Sequence, residues 1–335
     1  MGELVAAIAA SHVPLMETHF NDAPSEKSLR VVQSFEHLAR VLRESEPDVL
    51  VVVAPDHFRT FFMDVMPPFC VGLGATVQGW GDWSLPRYEL RVDQALARAI
   101  LDNALASGFD LAYSLNMRLD HGFIMPLHHL NLTPTISIVP VFVNCAAPPL
   151  PTMKRCQQLG SVIARTIARP GVTKRVAIVA SGGLSHWVPF PKVGQLETEF
   201  DQIMMDVMIN GRGRVDDHDI AEKRRAGIQS FIRNSPQVNE EFDRSLLQLV
   251  AMGKGNDLAD YTYEHIESSG GNGGQEIRTW MTLLGAIPER RASYTFYEPI
   301  PEWLTGVGMV AMDMSRRDDQ VRKAFALGRQ VFTAS

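Results

Sequence analysis

Ten histidines are spread along the 335-residue chain, and four of them stand just after apolar runs of strand length. His12 follows Leu4–Ala10 within Ser11-His12-Val13-Pro14. His57 follows Val49–Ala54 within Ala54-Pro55-Asp56-His57-Phe58. His121 lies in Leu119-Asp120-His121-Gly122-Phe123, soon after the short run Leu111–Ser114. His186 closes Ser181-Gly182-Gly183-Leu184-Ser185-His186, after Val176–Ala180. Ligands of open α/β sheets bind outside the carboxyl ends of the strands. If the preceding runs are neighbouring parallel strands, the four imidazoles converge on one crevice.

Four neutral imidazoles can ligate a metal, or two can bind it while two move protons. Two histidines and one carboxylate on one face of an iron form the arrangement of non-heme Fe(II) oxygenases, which leaves positions open for substrate and O2. Three acids are candidates for the carboxylate: Glu17, Glu264 and Glu276. Glu276 follows Gly270-Gly271-Asn272-Gly273-Gly274 and opens Glu276-Ile277-Arg278-Thr279-Trp280. Glycines permit close backbone approach, so this acid can reach inward. It equally suits the first turn of a helix, where an acid meets the positive end of the dipole. Spacing alone leaves the choice open.

Other motifs are weak. Gly72-Leu73-Gly74-Ala75-Thr76-Val77 has Val where a dinucleotide fingerprint needs its last glycine, and there is no Walker A pattern. Ser185 beside His186 is not a nucleophile elbow. The pair His128-His129 reads as helix surface, and Met63, Met66 and Met125 as core or pocket filler.

These residues need elements to position them. Leu4–Ala10, Val49–Ala54, Ile136–Val143 and Val176–Ala180 are continuous apolar runs, which predicts strands buried on both faces. Pro140 predicts a bent or edge-placed third strand. Helical spacing recurs at Leu29–Leu42, Leu96–Ala104, Leu159–Ile167, Phe200–Val207 and Phe242–Val250. Alternation of the two predicts an α/β fold, with a mixed or parallel central sheet covered by helices. Residues 1–335 are expected to form one domain with a more helical C-terminal half. The polar stretch Gly211–Asp219 is expected to be a surface loop.

Composition narrows the function. Lys plus Arg number 32 and Asp plus Glu 38, a net charge of -6, and no dense basic cluster marks a nucleic-acid partner. No apolar run approaches a membrane span. Three cysteines, Cys70, Cys145 and Cys156, make neither a disulfide framework nor a zinc knuckle and fit a reducing, cytoplasmic setting. The apolar start reads as a buried first strand rather than a signal peptide, since it lacks a basic leader and carries Glu3. Gly2 lacks the Ser or Thr that myristoylation wants at position six, which is Ala6.

At the four histidine motifs the chain resembles the class III extradiol ring-cleavage dioxygenases, the family of the protocatechuate 4,5-dioxygenase catalytic subunit. Further matching stretches are Phe61–Thr76 with Met66-Pro67-Pro68-Phe69-Cys70, Pro140–Asn144 and Pro299-Ile300-Pro301-Glu302-Trp303. The likeness is weakest between Trp187 and His265. The resemblance implies that His12, His57 and Glu276 bind Fe(II) and that His121 and His186 are acid/base residues. It implies a catecholic substrate and O2, with extradiol cleavage to a hydroxymuconic semialdehyde-type product. A 3-substituted catechol is expected, a carboxylated side chain being one option. A homo-oligomer is also implied. Trp187-Val188-Pro189-Phe190 is a candidate aromatic wall, and Arg59 and Arg278 are candidate carboxylate anchors. The alternatives are a metal-dependent hydrolase or lyase in the same crevice, and a non-catalytic binding protein on the same fold.

Overall fold

The computed structural model of the chain describes residues 1–132, 136–214, 217–234 and 237–314. Its strands are β1 (Glu3–Ala10), β2 (Val49–Ala54), β3 (Phe69–Gly72), β4 (Thr76–Gly79), β5 (Glu89–Arg91), β6 (Ala112–Ser114), β7 (Arg118–Leu119), β8 (Ser137–Val143), β9 (Arg175–Ser181), β10 (Ala292–Ile300) and β11 (Thr305–Met312). Its α-helices are α1 (Leu15–Thr18), α2 (Ser25–Ser45), α3 (Gln94–Ala106), α4 (His121–His129), α5 (Met153–Ile167), α6 (Glu199–Asn210), α7 (His218–Asn234), α8 (Glu240–Ala251), α9 (Tyr263–Gly270) and α10 (Ile277–Ala286).

The large sheet has the order β10-β11-β1-β9-β2-β8-β3-β6, and β4, β5 and β7 form a small second sheet. The centre β1-β9-β2-β8 is parallel. β11 and β3 run antiparallel to the strands they flank, so the sheet is mixed. All six residues of β2 are buried, which a parallel strand covered on both faces requires. Helices supply that cover: α2 packs on β1 and β11, α4 on β2 and β9, and α10 on β1, β2 and β9. All ten residues of α10 are buried.

The four long apolar runs are β1, β2, β8 and β9, and the five helical patterns are α2, α3, α5, α6 and α8. β8 departs from expectation: Pro140 sits in an interior strand, between β2 and β3. Its missing N–H is tolerated because the ladder to β3 ends at Val71↔Val141, one residue short of the proline. The expected loop 211–219 also ends earlier, since His218 and Asp219 begin α7. Residues 215 and 216 of that stretch lie outside the described residues.

Candidate active site

β1, β9 and β2 are parallel neighbours, and each is followed within five residues by one histidine: His12, His186 and His57. His121 arrives differently. The run Leu111–Ser114 becomes β6, at the far edge of the large sheet, whereas His121 follows β7 of the small sheet and starts α4. Asp120 caps that helix, accepting the Gly122 N–H at 3.0 Å. The four imidazoles and Glu276 line one cavity of about 690 Å³.

Local structure explains each placement. After β2, the buried Asp56 carboxylate accepts the N–H groups of Arg59 and Phe61 at 3.0 Å and of Thr60 at 3.1 Å. This folds the loop so tightly that buried Phe58 is held at φ +55°, a strained value for a bulky residue beside His57. Burial and the nearby Asp120 charge push the Asp56 carboxyl up to about 7 against those three donors. After β9, Asp243 accepts both the Ser185 N–H and the Ser185 hydroxyl at 2.7 Å, fixing the turn before His186. Glu276 ends the short 3-10 helix Gly273–Glu276 that leads into α10. Gly271, at φ +78°, and Gly273 lie directly against His186, where any Cβ would strike its carbonyl or its ring.

The inner nitrogens meet at Glu276. His57 Nε2 lies 3.1 Å from Glu276 Oε1, His12 Nε2 3.5 Å from Oε2 and His186 Nε2 3.7 Å from Oε1. The outer nitrogens are held by oxygens. His12 Nδ1 faces Ser181 Oγ at 3.0 Å, and His57 Nδ1 faces Asp120 Oδ2 at 2.7 Å. His121 Nδ1 faces Asp82 Oδ2 at 2.7 Å, and His186 Nδ1 faces the Leu184 carbonyl at 3.0 Å. Outer-nitrogen anchoring of this kind fixes the tautomer and turns Nε2 toward a metal. Ligand atoms of His12, His57 and His121 fall within 4.8 Å of one another, and those of Asp82, Asp120 and His121 do the same. The donor types and their mutual spacing fit a divalent metal.

Charge balance follows from burial. Burial pulls Glu276 upward, but the imidazoles of His12 and His186 overcome it and hold the carboxyl well below its usual range. Burial likewise lowers His57, yet Asp120 and Glu276 carry it well above an ordinary histidine. His186 rises for the same reason, Glu276 outweighing burial. In His12 burial wins and the pKa falls.

The rival acids lie elsewhere. Glu17 pairs with His129 Nε2 at 2.6 Å, and Glu264 is exposed on α9. His128 and His129 are half-buried rather than simple surface, His128 Nδ1 facing the Tyr88 hydroxyl at 2.7 Å. Arg278 is no pocket anchor: buried on α10, it donates to the Pro151 carbonyl at 2.8 Å and to Gln275. Arg59 does line the cavity, as do Trp187, Val188, Pro189 and Phe190. Sequence reasoning gave no role to Asp82, Asp120, Ser181 or Arg224. Asp120 and Ser181 stood inside the quoted motifs; Asp82 and Arg224 carried no signal, because the fold brings them in from a short loop and from α7.

The fold and this histidine-carboxylate cavity define a class. Residues 6–308 match the family described as the catalytic LigB subunit of aromatic ring-opening dioxygenase, and the chain belongs to that family. It is a metal-dependent, ring-cleaving dioxygenase. Among its relatives, the 2,3-dihydroxyphenylpropionate/2,3-dihydroxicinnamic acid 1,2-dioxygenase of Photorhabdus laumondii is 36% identical over 92% of this chain and 96% of its own. The enzyme of the same name from Cupriavidus pinatubonensis is 36% identical over 88% and 94%. That from Rhodococcus jostii is 34% identical over 92% and 99%. Cleavage between ring carbons 1 and 2, beside hydroxyls on 2 and 3, is extradiol, and extradiol opening of a catechol is the activity of this chain.

Proposed function

We propose that this chain is an Fe(II)-dependent extradiol dioxygenase for a catechol with an acidic side chain at position 3. His12, His57 and Glu276 hold the metal; His121 and His186 move protons. The observation that carries this reading is the meeting of three Nε2 atoms at the carboxylate of Glu276, with His121 beside them. One carboxylate and two imidazoles make the ligand set of an iron site with open positions. Bound there, Fe(II) supplies Lewis acidity toward the catechol oxygens and lets ring electrons reach O2.

The remaining roles fall to the chain itself. A depressed Glu276 pKa keeps that carboxylate deprotonated and ready to ligate. His186 has only a carbonyl at Nδ1, so its Nε2 lone pair faces the cavity and suits a base for the phenolic proton. His121 has the Asp82 carboxylate at Nδ1, which holds its ring so that Nε2 would deliver a proton as the acid. Trp187, Phe190 and Trp303 shield the ring from water. The family match over residues 6–308 supports one catalytic domain. The relatives' names support a carboxylated, 3-substituted catechol.

The test is anaerobic loading with Fe(II), then a catechol panel and oxygen, followed by O2 uptake and the yellow absorbance of a ring-opened semialdehyde. One O2 consumed per catechol with yellow product is expected. Full turnover with Mn2+ or Zn2+ and none with Fe(II) would remove iron from the reading.

A further inference from the structure

The cavity lining holds a buried cation that the ring chemistry does not use. Arg224, on α7, is 8% exposed and lines the cavity. Its Nε is buried and has no hydrogen-bond partner among the described residues. A guanidinium withdrawn from water without full compensation is expensive to keep, and such groups usually await a ligand. Burial, with Arg59 nearby, pushes its pKa down to about 10, so it stays charged at neutral pH.

The lining charges do not balance. Arg59, Arg224 and Arg225 face two carboxylates, Asp82 and Glu276. Both carboxylates are turned to imidazoles, Asp82 to His121 at 2.7 Å and Glu276 to His57 at 3.1 Å, while Asp82 Oδ1 is buried without a partner among the described residues and its charge also reaches Arg224. Asp82 is further shared with Arg59, whose Nε lies 3.9 Å away. Apolar side chains line the same cavity, among them Phe190, Met204, Ile228 and Phe231. A buried cation in a cavity with apolar lining suits an arm that is hydrocarbon in its middle and anionic at its tip.

We infer that Arg224 is a specificity-determining residue: its guanidinium receives the anionic end of the substrate's side chain while the catechol ring occupies the histidine end of the cavity. This rests on the proposed function and adds to it the residue that selects an acidic substrate over a neutral one. Charge-assisted hydrogen bonds and a bidentate guanidinium supply the selectivity. The uncharged analogue leaves that guanidinium buried and unmet.

The experiment compares R224M with wild type on 3-(2,3-dihydroxyphenyl)propionate and on 3-propylcatechol, its neutral analogue. Methionine keeps an apolar stem in place of the guanidinium. For the acid, kcat/KM is expected to fall about 10–100-fold, almost all of it in KM. For 3-propylcatechol it should be unchanged or higher. R224K should recover part of the loss, and should recover it on the acid alone. Equal losses on both substrates would make Arg224 structural and overturn the inference. So would a wild type that does not distinguish the two. Anaerobic binding of the acid, followed by calorimetry in wild type and R224K, reads the same contact without turnover. If wild type binds the acid more tightly than R224K yet opens no ring, Arg224 stands and the ring-opening assignment fails.

Discussion

Two groups of residues lining the cavity are built in opposite ways. In the histidine group, three of the four imidazoles hang from the ends of adjoining parallel strands, and every outer nitrogen has an oxygen within 3.0 Å. In the other, α7 and residues 187–190 supply the wall, and the buried guanidinium of Arg224 keeps an Nε unmet among the described residues. His57 and His186 follow strands whose backbone the core buries on both faces. The second group hangs on helices outside the sheet, where sequence can change without moving the strand ends. On the inference drawn for Arg224, the sheet ends hold the chemistry and the helical segment would set selectivity.

The largest expected effect is in the histidine group. His57→Ala or His12→Ala should lose bound iron and activity together, read by metal analysis and O2 uptake. Full iron with full turnover in either variant would break the ligand assignment. Next, His121→Ala and His186→Ala should keep iron but slow ring opening by about 10²–10⁴-fold, the usual loss for a proton-transfer group. Normal single-turnover rates in both would show that the anchored imidazoles are not the proton carriers. Asp120→Asn removes the carboxylate that holds His57 and should weaken metal affinity or activity by about 10–100-fold. A competitive chelator titration measures it.

Smaller effects sharpen the contrast. Asp243→Ala strips the acceptor from the Ser185 N–H and the Tyr297 hydroxyl, and should cost about 1–3 kcal/mol in urea unfolding. In the second group, Phe190 meets Phe58 edge to face with centroids 5.2 Å apart. Phe190→Leu should cost about 0.5–1.5 kcal/mol in urea unfolding, the worth of an aromatic pair, and lower kcat far less than His121→Ala. A fall in kcat equal to that at His121 would erase the distinction between the two groups.

Much of this plan was legible in the chain. Unbroken runs such as Val49–Ala54 declared doubly covered strands, because only burial on both faces tolerates a segment without alternation. The histidines after three of them followed, since parallel neighbours end on one side. The hairpin β10–β11 escaped notice because β10 is half-exposed and carries no clean run. Glu276 could not be chosen over Glu17 by spacing, as a helix-start acid looks the same whether it faces solvent or a cavity.

The sequence by itself determined the α/β alternation, the strand-end histidines and, through its motifs, the family. These are local properties: hydrophobic run length, turn residues, and short signatures around each functional side chain. The family resemblance named Glu276 where spacing could not; tertiary structure decided that Asp82 anchors His121, that Pro140 lies inside the sheet, and that Arg224 rather than Arg278 faces the cavity. Each of those depends on contacts between residues far apart in the chain. The burial of Arg224, for example, is set by how α7 packs against α6 and faces the cavity, and nothing in Arg224's own neighbours in sequence distinguishes it from Arg225, which is exposed one position later.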